Sequence, residues 1–319
     1  MTSAGEHSES ATAPNSVLDR ADDLRAVYFG HVDLDVLRTT TGADPTAVVQ
    51  RHLELAERRD VGVASLALHR GADSTVGVAL QIVTDDMPML VESVTAWLTG
   101  AGIAVVEVVH PILRVLRDES GTLTSIRGGA TPSDVETGDL ADGSILESWI
   151  HVALHPAASE EAFASLESSL ADVLADVRRV VDDTEAMQRR QLELADRLER
   201  PRRGDVDGTE SVTPDARHDA ARLLRWLAEG NFRVLGSRRY IATDAGLEPV
   251  AESALGILRS DDPGAVVGFD LPVDRVVARE EILVLTRASS STSVHRAVHP
   301  YFVGVHDLDD EGNTVGEHR

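Results

Sequence analysis

The stretch from Val76 to Val109 reads VGVALQIVTDDMPMLVESVTAWLTGAGIAVVEVV and predicts a strand, a tight turn, a helix, a second turn and another strand. Its first and last apolar runs are short and rich in β-branched residues, which is typical of buried strands. Two strands joined by a helical crossover run parallel in one sheet, with a right-handed connection. The rest of the chain is interpreted around this unit.

The helix inside this unit is predicted from one apolar face. Pro88 suits the first helical turn, where a missing backbone N–H costs little, and Asp85 or Asp86 is expected to cap the amides there. Gly100 and Gly102 are expected to end the helix. The residues that recur at helical spacing are Leu90, Val94, Trp97 and Leu98.

The composition excludes several classes of protein. A hydrophobic content of 42% supports real cores, whereas a net charge of −24 argues against nucleic-acid and anionic-membrane partners. The chain contains no cysteine and no lysine, so disulfides, thiol catalysis and Cys-based zinc sites are excluded. No apolar run is long enough to span a bilayer, and the polar N-terminus does not resemble a signal peptide. We therefore expect a cytoplasmic protein.

The order of elements predicts an α+β fold built from ferredoxin-like sandwiches, with a mixed sheet, helices on one face and a long helix. That helix begins near Ser159 and keeps its apolar spacing far beyond one small domain, with a possible break at Asp182-Asp183. The predicted parts are a disordered tail at 1–20, a first domain at 21–200 with N-terminal helices and the long helix, a linker at 201–214, and a second domain at 215–319 that is expected to be truncated.

The sequence contains no complete motif for the three kinds of catalytic or cofactor site considered below. A dinucleotide fold needs glycines between strand and helix, whereas here that turn is Thr84-Asp85-Asp86-Met87-Pro88. The Asp85-Asp86 pair has the chemistry of a metal or acid–base site, but the chain holds five such pairs, so helix capping explains it better. The serine run at 289–293 with His295 lacks the glycine elbow of a nucleophile and is interpreted as a turn.

Several blocks resemble the large bacterial NAD-specific glutamate dehydrogenases, and the resemblance runs from residue 24 to the end of the chain. Met89, Glu92 and Ser237 stand where that family usually has Phe, Asp and Tyr. The segments that carry the resemblance are Thr84 to Ser93, His110-Pro111, Val115 to Asp118, Gly121 to Leu123, Glu147 to His151, Leu224 to Leu227, Asn231-Phe232, Leu235-Gly236, Ser293 to Arg296 and Val315 to Arg319.

This resemblance implies an N-terminal regulatory region of ACT-type domains, placed ahead of a distant catalytic region. That region oxidises L-glutamate to 2-oxoglutarate and ammonia with NAD, chemistry for which this chain has neither the lysines nor the glycine-rich turn. We therefore expect no cofactor in this chain, NAD in the full-length family, and other domains and subunits of the same enzyme as partners in a homo-oligomer.

Two functions remain open at this point. One is ligand sensing, because ACT-type domains are expected to bind small effectors near the turn between the first strand and first helix. The other is a purely structural oligomerisation module without a ligand. The candidate binding residues for an amino-acid effector are Asp85, Asp86, Met87, Pro88, Leu90 and Gly102, with no catalytic residue and no metal ligand.

Overall fold

The computed structural model describes residues 21–30, 32–71, 75–138, 140, 142–157, 159–202, 212–244, 246–259, 281–288, 291–309 and 313–319. The predicted tail at 1–20 and most of the predicted linker at 201–214 lie outside these ranges. The described chain forms two compact units, Met1–Asp86 with Val105–Pro156, and Met87–Ala104 with Ala157–Arg319. The sequence instead predicts a boundary near residue 200.

The first unit contains one sheet and four helices in its described part. Its helices are α1 (Ala21–Tyr28), α2 (Leu34–Thr41), α3 (Pro45–Ala56) and α5 (Pro132–Thr137). Its strands are β1 (Ser65–His69), β2 (Ala79–Asp85), β3 (Val105–Val109), β4 (Ile112–Arg117), β5 (Leu123–Gly129) and β6 (Ile145–Leu154).

The sheet of the first unit is organised around β6. The strand order is β1-β2-β6-β4-β5, and β3 also pairs with β6, beyond the point where β4 leaves it. Every described pairing is antiparallel. The helical crossover joins β2 to β3, and each of these strands pairs with β6 rather than with the other. Both β2 and β3 are antiparallel to β6, so they run parallel to each other as predicted. His110-Pro111 separates β3 from β4, as expected because Pro111 has no backbone N–H to donate to a neighbouring strand.

The N-terminal helices of the first unit cover one face of its sheet. Their apolar side chains and those of β2 to β6 form a single core, which includes Leu37, Val48, Val83, Leu113 and Trp149. Aliphatic residues dominate this core, as the low aromatic content predicts.

Two buried histidines lie in this core. The Nε2–H of His52 donates to the carbonyl of Ile82 at 3.0 Å, and its Nδ1 accepts from the Tyr28 hydroxyl at 2.6 Å. The His52 ring stacks on Trp149 at a centroid distance of 5.0 Å. His151 is also fully buried, with its Nδ1 3.5 Å from the side-chain nitrogen of Gln81. The first unit thus buries two imidazoles without a carboxylate partner among the described residues.

The second unit contains the remaining helices and strands of the described chain. Its helices are α4 (Leu90–Gly100), α6 (Glu160–Ala164), α7 (Leu166–Asp182), α8 (Thr184–Leu198) and α9 (Pro214–Trp226). Its strands are β7 (Gly236–Ser237), β8 (Arg239–Thr243), β9 (Gly246–Pro249), β10 (Leu255–Gly256), β11 (Leu283–Arg287), β12 (Tyr301–Leu308) and β13 (Thr314–His318).

The predicted long helix is divided into three. Ser159 caps α6, Ser165 separates α6 from α7, and Asp183 leaves helical geometry at φ −94°, ψ 1° between α7 and α8. The break at Asp182-Asp183 is therefore real. Leu170 of the apolar stripe is fully buried, and α4 packs against α7 within this unit.

The second sheet has the order β11-β12-β13-β8-β9, with antiparallel pairing throughout its described strands. The turn residues Asp310 to Asn313 of the sequence predict a hairpin, and the pairing of Leu308 in β12 with Thr314 in β13 confirms it. Apolar residues of α8, α9, β11 and β12 form the core of this unit, among them Leu194, Leu224 and Val305. None of the described helices combines the length and apolarity that a membrane span requires.

The sequence also predicts a polar loop at 128–143, a strand from Val294 and a strand at 232–235, and these three local predictions are wrong. The polar loop predicted at 128–143 contains α5, which begins with a capping box between Thr131 and Asp134. The strand predicted from Val294 begins only at Tyr301, because His295 turns the chain with φ +65°. The strand predicted at 232–235 starts at Gly236 instead.

Candidate functional site

The six candidate ligand residues fall in both compact units. Asp85 and Asp86 belong to the first unit, and Met87, Pro88, Leu90 and Gly102 belong to the second, so each group is described by itself.

Asp85 ends β2 and its carboxylate is engaged by a cation. It forms an ion pair with Arg59 Nη2, and its side chain is 27% exposed. The guanidinium group of Arg59 is buried, with 2% of its side chain exposed. Asp85 would therefore have to leave an existing partner before it bound a ligand's ammonium group.

Asp86 is half-buried and lies at the end of a polar chain. Its amide donates to the Leu146 carbonyl at 2.9 Å, and its Oδ1 accepts from the Ser148 hydroxyl at 2.6 Å. Because that hydroxyl proton is used, the Nε2 of His110, 2.8 Å from Ser148 Oγ, must be the donor to it. The arrangement superficially resembles a Ser–His–Asp triad. The proton order is wrong for one, because the serine donates to the aspartate rather than to the histidine.

The start of α4 is uncapped by any described side chain. Met89 occupies the cap position with φ +72°, and no side chain among the described residues accepts from the first amides of the helix. The prediction that Asp85 or Asp86 caps this helix is therefore wrong, because the helix begins at Leu90, two residues after Pro88. Met89 and Leu90 are buried, Met87 is half-buried and Pro88 is exposed. The free amides of this first turn remain as donors for an anion.

Gly102 ends the turn that follows α4. It has φ +73°, and a Cβ placed on it would meet no atom within 4 Å. Its conformation, rather than close packing, therefore explains the glycine.

A buried ionic network adjoins Asp85 within the first unit. Glu147 is fully buried and accepts from Arg59 at 3.0 Å and 2.7 Å and from Arg117 at 2.6 Å and 3.0 Å. The Trp149 indole N–H donates to its Oε2 at 3.1 Å. Arg117 also donates to the carbonyls of Ala56 and Gly121. Its guanidinium group thus contacts both the carboxylate of Glu147 and the backbone.

The charges in this network balance. Arg59 and Arg117 supply two positive charges, and Asp85 and Glu147 supply two negative ones. Burial alone would lower the pKa of Arg59, but Glu147 and Asp85 raise it above its ordinary value. The network is thus a neutral, closed arrangement that holds the end of β2.

Sequence reasoning missed this network. Arg59 follows a predicted helix, and Glu147 lies in one of the segments that carry the family resemblance. Arg59 and Glu147 are 88 residues apart, and no local pattern connects them. The signal that was available is a charged residue inside the otherwise apolar β6, which calls for a buried partner.

The described residues contain no group of three or more histidine, aspartate or glutamate side chains arranged to hold a metal ion. Asp85 and Asp86 face different partners, so they do not form a shared oxygen-ligand site in this structure.

Comparison with known proteins bears directly on this fold. Residues 24–170 match the family described as glutamate dehydrogenase, ACT1 domain. The chain is 33% identical over 274 residues to the NAD-specific glutamate dehydrogenase of Mycobacterium tuberculosis, covering 86% of this chain and 15% of that protein. Similar proteins of the same description occur in Halomonas elongata, with 30% identity over 250 residues, and in Pseudomonas aeruginosa, with 25% identity over 305 residues.

The matches cover 75% and 92% of this chain in the Halomonas and Pseudomonas proteins, but only 14% and 18% of those proteins. The chain thus spans less than a fifth of the length of the curated relatives it matches. The α+β architecture, with an antiparallel sheet and its helices, is consistent with an ACT-like domain. The chain is homologous to a part of the NAD-specific glutamate dehydrogenases, and residues 24–170 match the ACT1 domain of glutamate dehydrogenase.

Proposed function

We propose that this chain is a non-catalytic, N-terminal regulatory segment of an NAD-dependent glutamate dehydrogenase, an enzyme that converts L-glutamate to 2-oxoglutarate and ammonia. The ACT1 match and the small share of the relatives' length support this assignment. The absence of lysine from the whole sequence also supports a non-catalytic role. NAD would act in another part of the enzyme, and the partners of this segment would be other domains and subunits within a homo-oligomer.

The proposed signal is an amino acid that binds at the turn of residues 85–90. The observation that carries this proposal is the start of α4, where Met89 leaves the first amides without a side-chain acceptor among the described residues. Such a helix end attracts a carboxylate through its N–H groups and its dipole. Asp86 is the better candidate for the α-ammonium group, because Arg59 already neutralises Asp85. Met87, Pro88 and Gly102 are proposed to shape the same site.

A thermal-shift assay tests this proposal. An amino acid that binds only the folded chain should raise its melting temperature at millimolar concentration, by mass action. Asp86→Asn should reduce that shift while changing the melting temperature without ligand by only a few degrees. Asp182→Asn is the matched control, because it makes the same charge change at an exposed aspartate of another Asp-Asp pair.

Two results would contradict ligand sensing at this turn. One is the absence of a shift with every amino acid in the panel. The other is a shift that Asp86→Asn leaves unchanged, or that Asp182→Asn reduces equally.

A second function, subunit assembly without a ligand, is favoured by one surface of the second unit. Trp226, Phe232 and Tyr301 are 45%, 47% and 65% exposed. Their rings form a chain, with centroids 5.5 Å apart between Trp226 and Phe232 and 6.3 Å apart between Phe232 and Tyr301. Contiguous exposed aromatic groups are typical of contact surfaces. If Tyr301→Ser lowers the oligomeric state by sedimentation and no amino acid shifts the melt, assembly is the better description.

A further inference from the structure

The second unit contains a cavity of about 500 Å³, a size typical of small-molecule sites. It lies among α8, the end of α9 and the chain that follows it, the strands β7, β8, β12 and β13, residues 257–258 after β10, and the turn at 294–300. All of its lining residues belong to the second unit. The cavity is therefore separate from the ionic network of the first unit.

The charges that line this cavity are unlike those of the chain. The sequence has 54 acidic residues against 30 basic ones. Among the described residues that line the cavity there is no aspartate or glutamate, whereas four arginines and two histidines contribute. These basic residues are Arg190, Arg233, Arg296, Arg319, His295 and His318. A positive lining in so acidic a protein requires an explanation.

The arginines of the lining differ in how far they are already paired. Arg319 donates to Glu317 at 2.8 Å and stacks over the Tyr240 ring at 4.1 Å, so its charge is matched. Arg190 is half-buried, and its Nη1 donates only to neutral oxygens, those of Ser253 at 2.7 Å and Ser237 at 3.2 Å. Arg233 and Arg296 are exposed, and neither forms an ion pair with a described carboxylate. Both charges are thus available to an anion. Arg190 has no hydrogen-bonded carboxylate, and Glu193 and Asp183 act on its charge only from nearby.

His295 presents a further polar group at this cavity. Its backbone has φ +65°, an uncommon conformation for a residue other than glycine, and its amide donates to the buried Ser93 hydroxyl at 2.8 Å. Its Nδ1 is buried without a hydrogen-bond partner among the described residues. Buried ring nitrogens normally have a partner, so this atom is consistent with a polar ligand that the cavity accepts.

The apolar part of the lining is rich in aromatic rings. Phe232, Tyr240, Tyr301 and Phe302 all contribute, which is half of the phenylalanines and tyrosines in the chain. Aromatic and aliphatic walls favour a ligand with an apolar or planar body, while a few polar groups fix its orientation.

We propose that this cavity binds a small organic anion, namely an apolar or aromatic body that bears one carboxylate or phosphate group, with Arg190, Arg233 and Arg296 holding the anionic group. Guanidinium groups suit both carboxylate and phosphate, because their planar N–H pairs match two oxygens at once. This site is distinct from the amino-acid site proposed at residues 85–90 and does not depend on it.

A matched pair of fluorescent probes tests the charge requirement. Anilinonaphthalene sulfonate carries an anionic group on an aromatic body, and phenylnaphthylamine is nearly the same body without the charge. The sulfonate probe should bind the whole chain at one site, tighter than the neutral probe by about tenfold or more. Its affinity should fall as salt is added, because partly exposed charges are screened.

Variants locate the site. The double change Arg233→Gln and Arg296→Gln should weaken the sulfonate probe by about tenfold or more and leave the neutral probe nearly unchanged. Arg38→Gln with Arg222→Gln is the matched control, since both are exposed arginines outside the cavity and remove the same total charge. Both variants should melt close to the unmodified chain, because the cavity pair makes no described ion pair and the exposed ion pairs of Arg38 and Arg222 contribute little.

Displacement then separates the two ligand chemistries. A panel of carboxylates, including aromatic amino acids and their keto acids, and a panel of nucleoside phosphates should compete with the sulfonate probe to different extents. Equal affinity for both probes, equal losses in the cavity and control variants, or no competition from either panel would overturn the proposal. Asp86→Asn should leave probe binding unchanged, which distinguishes failure here from failure at residues 85–90.

Discussion

Two sets of arginines, one in each unit, are held in opposite ways. In the first unit, Arg59 and Arg117 are buried and both contact the carboxylate of Glu147. In the second unit, Arg190 is half-buried and Arg238 is fully buried, and their described hydrogen bonds go to serine and backbone oxygens. The first arrangement matches charge with charge, and the second matches charge only with dipoles.

This difference distinguishes a site that stabilises the fold from a site that can bind an anion. A closed, neutral network gains nothing from an added anion and loses much when one member is removed. Arg190 is hydrogen-bonded only to dipoles, and burial lowers its pKa because its charged form is poorly solvated. The nearby carboxylates of Glu193 and Asp183 offset this effect only in part. An anion would relieve that cost. The comparison thus predicts that the first unit responds to mutation and pH, and the second to ligands.

The largest expected effect is acid destabilisation of the first unit through its two buried histidines. Burial lowers the pKa of His52 to about 3 and that of His151 to about 4. An unfolded histidine titrates near pH 6.5, so below that pH the unfolded chain takes up protons that the folded chain cannot. The free energy of unfolding should therefore fall by about 2.7 kcal/mol per pH unit for the pair until the pH approaches about 4.

Urea unfolding at about pH 7, 6 and 5 measures this slope. His151→Gln should roughly halve the contribution, because one of the two titrating groups is gone. His155→Gln is the control, since His155 is exposed. If the slope is the same in all three proteins, the buried imidazoles do not govern acid stability.

The next effect concerns the centre of the ionic network. Glu147→Gln keeps the shape of the side chain but leaves Arg59 and Arg117 with too little negative charge, and a broken buried pair typically costs about 3–5 kcal/mol. Hydrogen exchange of the β6 amides measures the loss in the first unit alone. Glu119→Gln, at an exposed turn, should change stability by less than about 0.5 kcal/mol. A loss below about 1 kcal/mol at Glu147 would show that the network contributes little to stability.

The sequence predicts the fold where the signal is local. The strand, helix and strand predicted between Val76 and Val109 are found as β2, α4 and β3. They are predictable because the spacing of apolar residues and the glycines that end a helix are both visible within a short segment. The interruptions at His110-Pro111 and at Asp182-Asp183 are found for the same reason. The start of α4 is missed, because the left-handed turn at Met89 leaves no residue-type signal of the kind that glycine gives.

Contacts between distant residues are beyond local patterns. Glu147 contacts Arg59 and Arg117 because β6 lies between β2 and β4 in the sheet. No local sequence pattern predicts this strand order. The cavity of the second unit is assembled from segments between Met187 and Arg319. Its positive lining cannot be predicted from the overall composition, because the net charge of the sequence is strongly negative. Of the candidate residues, Asp85 lies beside a real feature, while the ligand role of all six stays a prediction.

The smallest expected effect tests whether the second unit also depends on a buried carboxylate. Asp183, 8% exposed, lies between α7 and α8, where its carboxylate accepts from the Gly256 amide at 2.8 Å and from Arg259 at 3.1 Å. Arg259 is 44% exposed, so its ion pair is screened by water and contributes little. The Gly256 amide is the buried partner. Gly256 has φ +60°, and a Cβ placed on it would clash with the Leu235 carbonyl oxygen, so the backbone is closely packed at this point.

Asp183→Asn keeps an acceptor for that amide and should cost less than about 1 kcal/mol, the usual value of an exposed ion pair. Asp183→Ala removes the acceptor and should cost about 1–3 kcal/mol, because a buried N–H is left unpaired. Asp182→Ala, one residue earlier and exposed, is the control for the change in helix composition. Urea unfolding measures all three variants. A loss at Asp183→Asn as large as that at Asp183→Ala would mean that the charge, not the hydrogen bond, matters here. The second unit would then depend on matched buried charge as the first does, and the contrast between the two units would fail.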